Sequence, residues 1–307
     1  MAEAPLDRVA GPVGVARAGT AARAATLPAR GRRGVLSKVL FIGLLITFTV
    51  LFIYPFIWLL SASLKTTTEV FNNQLIPNPP HPENYTELIK RAPVLNWAWN
   101  SLVVSILAAT TVTFSSALVA FAFAYFRFPG RNLLFGVVLA TLLLPDTVTM
   151  IPKFLIWDAL GFNNTLVPLW AGNLFASAFY IFLLRQFFLT LPRELFEAAR
   201  VDGASHFRIW WSIALPLTRA AMIVVFVFEL KAAWTDLLKP LIFIHDVVLF
   251  TLPRGLKAII DNPSIGGQKE WELLAAAGVI VTVPMIIVFF LGQRYFLEGI
   301  ATTGSKG

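Results

Sequence analysis

Apolar residues in this chain come in long runs, not in the short alternation of a half-buried strand or the narrow stripe of a surface helix. The runs fall at Val39–Leu60 and at about Leu102–Tyr125, Leu133–Ile156, Leu166–Phe188, Leu217–Ile242 and Leu273–Tyr295. Each, as a helix, is long enough to cross the ~30 Å hydrocarbon core of a bilayer. The pattern predicts an all-α, polytopic membrane protein with six transmembrane helices. Val39–Leu60 exceeds the apolar region of a signal peptide and lacks a small-x-small exit site, so it reads as a first span. Pro145 and Pro152 predict a break or kink in the third span. Such breaks persist in membranes only where protein or a water-filled cavity satisfies the freed backbone. Between the first two spans, IPNPPHPENY (Ile76–Tyr85) holds four prolines and predicts an extended external crossing.

Polar intervals set the domain plan. Residues 1–38 are rich in Ala, Gly and Arg, have no apolar periodicity and end near RGRRG; they predict a disordered basic tail. Residues 39–307 predict one transmembrane domain, interrupted by a polar loop at about 189–216.

Composition agrees, since 57% of residues are hydrophobic and only 14% charged. The absence of cysteine excludes disulfides and thiolate metal sites. The three histidines, His81, His206 and His245, are scattered, so no metal site is expected. A net charge of +8 raises the question of nucleic acid. Its distribution answers it. The tail, the 126–132 loop, the 185–219 segment and the C-terminal end carry sixteen of the 25 Lys and Arg but six of the 17 Asp and Glu. The positive-inside rule therefore puts both termini and the 189–216 loop in the cytoplasm. Topology accounts for the charge, and nucleic acid is not needed.

The loop has its own grammar. In LPRELFEAARVDGA, Pro192 suits a helix start, Glu194 and Glu197 complement the dipole of the first turns, and Gly203 suits a stop. Ser205 can cap a second short helix, HFRIWWSIAL, which Pro216 closes. The result is a helix–turn–helix with Phe196, Phe207, Ile209, Trp210 and Trp211 among its charges. Read from the residues alone, it could equally be an interfacial helix with tryptophans at the headgroups.

The spacing is specific. Glu197-Ala198-Ala199, three residues ending in Asp202, Gly203, nine residues, Ile213, one residue, Leu215-Pro216 resembles the EAA loop of ABC-importer permeases. FAFAYFRFPGR (Phe121–Arg131), RQFFLTLPRELFEAARVDGAS (Arg185–Ser205) and QRYFLEGIATTGSKG (Gln293–Gly307) are similar to the maltose-type carbohydrate branch. The resemblance covers residues 39–307. It implies a permease in a bacterial or archaeal cytoplasmic membrane, half of a path for a sugar or sugar derivative. It implies three partners: an ATPase dimer, a second permease and an extracytoplasmic solute-binding protein. Glu197, Ala198, Ala199, Asp202, Gly203, Ile213, Leu215 and Pro216 would then form the ATPase-coupling element. The aromatics of the second helix would anchor it, and the end of the chain, Thr302–Gly307, would reach towards the ATPases. No G-x-x-x-x-G-K-[ST] run is present, so ATP and Mg are expected on the partner chain and no cofactor on this one.

Polar groups inside the spans complete the list. Glu229 and Lys231 lie near mid-membrane but about 200° apart on a helix, so they cannot pair with each other. A structural ion pair of each with a neighbouring helix is expected ahead of substrate contact. Trp170, Asn173 and Tyr180 share a face of the fourth span and could meet a sugar, as could Glu229 and Trp234 in the fifth; helix packing is the plainer role for each. Permeases of this branch often carry Trp-Asn where this chain has Trp234-Thr235, so no role is carried over to Thr235. The competing function is a stand-alone secondary transporter using Glu229 and Lys231 as an ion relay. An intramembrane enzyme is disfavoured, because neither H-E-x-x-H nor G-x-S-x-G occurs.

Overall fold

The computed structural model describes residues 33–261 and 270–304, with side chains for 37–261 and 270–294. The expected tail lies outside the described residues as far as Arg32. Residues 33–38, assigned above to that tail, are already helical, because α1 runs Arg33–Ala62. The chain divides into two units after Ile53. In the first, the described residues are the opening turns of α1, where Thr47 returns its hydroxyl to the Gly43 carbonyl at 2.9 Å. That bond keeps Thr47, one of the two threonines in the stretch 42–52, satisfied in an apolar setting.

The second unit, Tyr54–Gly307, is built on helices, the only regular elements among its described residues. After α1 come α2 (Glu83–Arg91), α3 (Val94–Tyr125), α4 (Arg131–Ala140) and α5 (Asp146–Ala159). Then follow α6 (Val167–Trp170), α7 (Ala178–Thr190), α8 (Arg193–Val201), α9 (His206–Ile209) and α10 (Leu215–Leu217). The last are α11 (Arg219–Thr235), α12 (Leu238–Phe243), α13 (Leu252–Asp261) and α14 (Trp271–Gly304).

Three segments can cross a membrane as single helices: Ser37–Ala62, Val94–Tyr125 and Trp271–Arg294. Three bent pairs qualify together: Arg131–Leu143 with Asp146–Ala159 at 99°, Val167–Phe175 with Ala178–Thr190 at 41°, and His206–Leu217 with Arg219–Thr235 at 81°. The count among the described residues reaches the expected six when each bent pair is one span.

α3 is the central post, packed by α7 and α11. Its buried stripe is made of small residues: Ser101, Ser105, Ala108, Ala109, Ser116, Ala117 and Ala120. Small side chains let helix backbones approach closely, which is how membrane helices gain dispersion contacts where no hydrophobic effect drives them together.

The expected break in the third span falls at Pro145. Leu144 is extended, as the residue before a proline prefers, and α5 starts afresh with Asp146 in its first turn. Pro152, also a candidate breaker, stays inside α5. The fourth span breaks without a proline, which periodicity did not reveal. There a 3₁₀ turn, Ala171–Phe175, leads to Ala176 at φ +66°. Two serines of α3 repair the freed backbone: Ser115 donates to the Asn173 carbonyl at 3.0 Å, and Ser116 accepts the Ser177 N–H at 3.1 Å.

Outside the spans, the crossing at Ile76–Tyr85 is irregular up to Pro82, and its last residues already belong to α2. Trp97 and Asn100 of α3 hold the 247–250 segment by its carbonyls, at 2.7 Å to Val247 and 2.8 Å to Val248. α12 and α13 were not foreseen in the sequence. α14 runs on to Gly304, so part of the terminal segment Thr302–Gly307 is helical; residues 305–307 lie outside the described residues.

Candidate functional site

The loop between α7 and α11 forms from its own sequence. Pro192 sits extended at ψ 129° immediately before α8. One face of α8 is apolar. Phe196 is buried against Phe121 and Tyr125 of α3, with ring centroids 6.0 and 5.6 Å apart. Ala199 is half-buried beside them, whereas Glu197 and Ala198 are exposed. The helix ends as its glycine predicts. Gly203 has φ +79°, its N–H donates to Arg200 at 3.0 Å, and the Ala204 N–H reaches back to Ala199 at 2.9 Å. This pair of bonds is the Schellman arrangement. Ser205 then caps α9, accepting the Arg208 N–H at 3.2 Å.

The EAA positions thus make one exposed corner: Glu197, Ala198, Asp202 and Gly203 face outwards. Ile213 and Leu215 are half-buried and pack on the core that holds Phe121 and Trp210. Pro216 is exposed two residues before the 81° bend at Thr218. Beside the corner lies a hollow of about 470 Å³, lined by Phe121, Tyr125, Phe188, Phe196, Glu197 and Arg200 among others.

The aromatics of the second helix do not all join this corner. Trp210 is buried in the core. Trp211, 53% exposed, stacks on Phe114 of α3 at 6.0 Å. Phe114 precedes the end of α3 by eleven residues, about 16 Å along the axis. The second helix therefore lies alongside α3, and Trp211 covers part of that helix. Among the expected anchors, Phe207 packs on Trp210 and Trp211 with ring centroids 5.3 and 6.4 Å apart and is 64% exposed.

Within the spans, three of the expected residues meet. The Asn173 amide donates to Glu229 Oε1 at 2.5 Å and to the Ala108 carbonyl at 3.2 Å. The Tyr180 hydroxyl is turned to the same carboxylate. This corrects the expected ion pair. Glu229 is held by the Asn173 amide, and among the described residues no cation pairs with it. The carboxylate is only half-buried, so it is not stripped of solvent and a neutral donor can serve it without a counter-charge. Trp170 is half-buried outside this cluster. Trp234 is 3% exposed and donates its indole N–H to the Val281 carbonyl of α14 at 3.0 Å, which gives it a packing role. Ser115 and Ser116 were missed in the sequence; their signal was a pair of hydroxyls in the middle of an apolar run.

These features define the class: a polytopic helical membrane protein with broken spans and an exposed, sharply turned loop between two of them. Residues 116–301 match the family described as binding-protein-dependent transport system inner membrane component, and the chain belongs to that family. It is an inner-membrane permease component. The arabinooligosaccharides transport system permease protein AraQ of Bacillus subtilis (strain 168) is 30% identical over 268 residues, 84% of this chain and 92% of that protein. The sn-glycerol-3-phosphate transport system permease protein UgpE of Brucella suis biovar 1 is 34% identical over 259 residues, 81% and 91% of the two chains. A chain in the crystal structure of a bacterial ABC transporter involved in the import of the acidic polysaccharide alginate has the same fold. Its TM-score is 0.71 at 23% identity, covering 87% of this chain and 98% of that one.

Proposed function

We propose that this chain is one of two permease subunits of an ATP-driven importer for a sugar or sugar derivative. The family supports import dependent on a binding protein, and the relatives' cargoes, arabinooligosaccharides and sn-glycerol 3-phosphate, support the substrate class. In this reading both termini and the α8–α9 corner lie in the cytoplasm. A separate ATPase dimer binds ATP and Mg, and a solute-binding protein delivers cargo on the other side. Glu197, Ala198, Ala199, Asp202 and Gly203 dock on the ATPase, with Ile213, Leu215 and Pro216 passing the motion to α11. Asn173, Tyr180 and Glu229 stand where a carboxylate and an amide could meet cargo hydroxyls.

One observation carries the reading: an EAA-spaced corner that is exposed, rigidly turned by Gly203, and rooted through Phe196 in the helices α3 and α7 of the spans. A push on the corner has a packed route into the membrane. A stand-alone carrier would leave that corner without a task, and the family match favours the importer. Co-expression with an ATPase subunit and a second permease, followed by purification on a tag carried by this chain, tests the assembly. Recovery of a complex whose ATP hydrolysis rises with the loaded binding protein is expected. Recovery of this chain alone, still able to transport, contradicts it.

A further inference from the structure

The charged side chains exposed on elements of membrane-spanning character include Asp146 and Lys153 of α5, and Lys231 of α11. The first two answer each other at 3.7 Å. Lys231 does not. Among the described residues no carboxylate pairs with its ammonium. Glu229 points about 200° away around the same helix and is held by Asn173. Asp236 is taken by Lys239 at 3.3 Å and by the backbone N–H groups of Leu238 and Lys239.

Lys231 is also deep. It is the thirteenth residue of α11, about 18 Å from Arg219 along the axis, inside a core ~30 Å thick. Phe228, Lys231, Ala232 and Thr235 fall within an arc of about 100° and all are exposed, while Val225, Leu230 and Trp234 are buried. That strip mixes a cation, a hydroxyl and a small residue. The exposed strip of α4 around Leu133, Leu134, Val137 and Ala140, by contrast, carries neither a charge nor a hydroxyl. An ionised side chain at this depth is costly against lipid and is normally found facing a water-filled cavity or a partner.

We propose that Lys231 lines the water-filled translocation path and gives it a positive potential, which sorts cargo by charge. Neutral polyols and anionic sugar derivatives are admitted, because hydroxyl and carboxylate or phosphate oxygens accept from an ammonium. Cationic solutes are repelled. The inference rests on the importer reading, since only a permease has such a path.

The chain has no cysteine, so one introduced at Ala232, beside Lys231, reports alone within this subunit. In the assembled transporter, Ala232→Cys is treated with methanethiosulfonates bearing a sulfonate or a trimethylammonium group, and labelling of this chain is followed by mass spectrometry. Both reagents should react. The sulfonate-to-ammonium rate ratio should exceed that for free cysteine in solution. Lys231→Gln should lower that ratio by up to about tenfold, the effect of a unit charge ~6 Å away in water acting oppositely on the two reagents. Lys231→Arg should preserve it. Labelling by a membrane-permeant maleimide but by neither charged reagent would place Lys231 against lipid and overturn the proposal. A ratio equal to that in solution would mean that a carboxylate of another subunit neutralises it, and would also overturn it. If Lys231→Gln does not assemble, the comparison of Ala232→Cys with free cysteine still decides. Failure here with ATPase coupling intact removes only the role of Lys231 and leaves the importer reading standing.

Discussion

The Asn173 amide reaches the Glu229 carboxylate at 2.5 Å, tying the broken fourth span to the middle of α11. α11 begins one turn after the EAA segment ends, so this bond joins the corner's own helix to the irregular backbone of the fourth span. It is a polar link between a helix break and the helix that follows the EAA-spaced loop.

Asn173→Leu should destabilise the assembled protein by about 1–3 kcal/mol, because the half-buried carboxylate loses its charge-assisted donor and meets an apolar side chain instead. Glu229→Leu should cost a similar amount, leaving the amide unpaired. The double substitution should cost less than the sum of the two, since neither orphan then exists. Thermal unfolding in detergent measures all three. Strict additivity would show that the two side chains do not depend on each other.

Gly203 separates conformation from space. An added Cβ would meet nothing within 4 Å, so any cost must come from φ +79°. Gly203→Asn, tolerant of left-handed backbone, should retain most coupled ATP hydrolysis. Gly203→Val should lose it and destabilise the turn by about 1–2 kcal/mol. Equal behaviour of the two variants would mean that the Schellman turn is not what positions the corner.

Gly255 is the opposite case. Its backbone is ordinary, but a Cβ there would collide with the indole of Trp97. Trp97 also holds the Val247 carbonyl at 2.7 Å. Gly255→Ala should therefore push α13 off α3 and cost about 1–3 kcal/mol of stability. Thermal unfolding checks this, and a neutral effect would contradict the close packing.

Much of this was legible in the sequence. Long apolar runs fix helices and their rough places because only continuous helices satisfy backbone groups in lipid. Pro145 announced its break, and Pro192, Gly203 and Ser205 announced the corner, since each acts locally, on its own backbone or on that of the next few residues. What stayed hidden depends on residues far apart in the chain. The break at Ala176 exists because Ser115 and Ser116 serve it from another helix. Glu229 was expected beside a cation, yet its partners Asn173 and Tyr180 come together only in the packed bundle. Trp211 looked like a docking anchor until Phe114 was found beneath it.

The central claim is that the exposed corner transmits ATPase motion, and Glu197→Arg tests it most directly. Glu197 is exposed and free of ion pairs among the described residues, so reversal should leave folding and membrane insertion intact. If the side chain meets a basic group on the ATPase, reversal costs about 2–5 kcal/mol of docking. That is enough to cut cargo-stimulated ATP hydrolysis and transport more than tenfold in the assembled complex. Such a loss, restored by the opposite reversal on the ATPase, is the predicted result. Wild-type hydrolysis and transport in Glu197→Arg would contradict it and reduce the corner to a helix resting on the membrane surface.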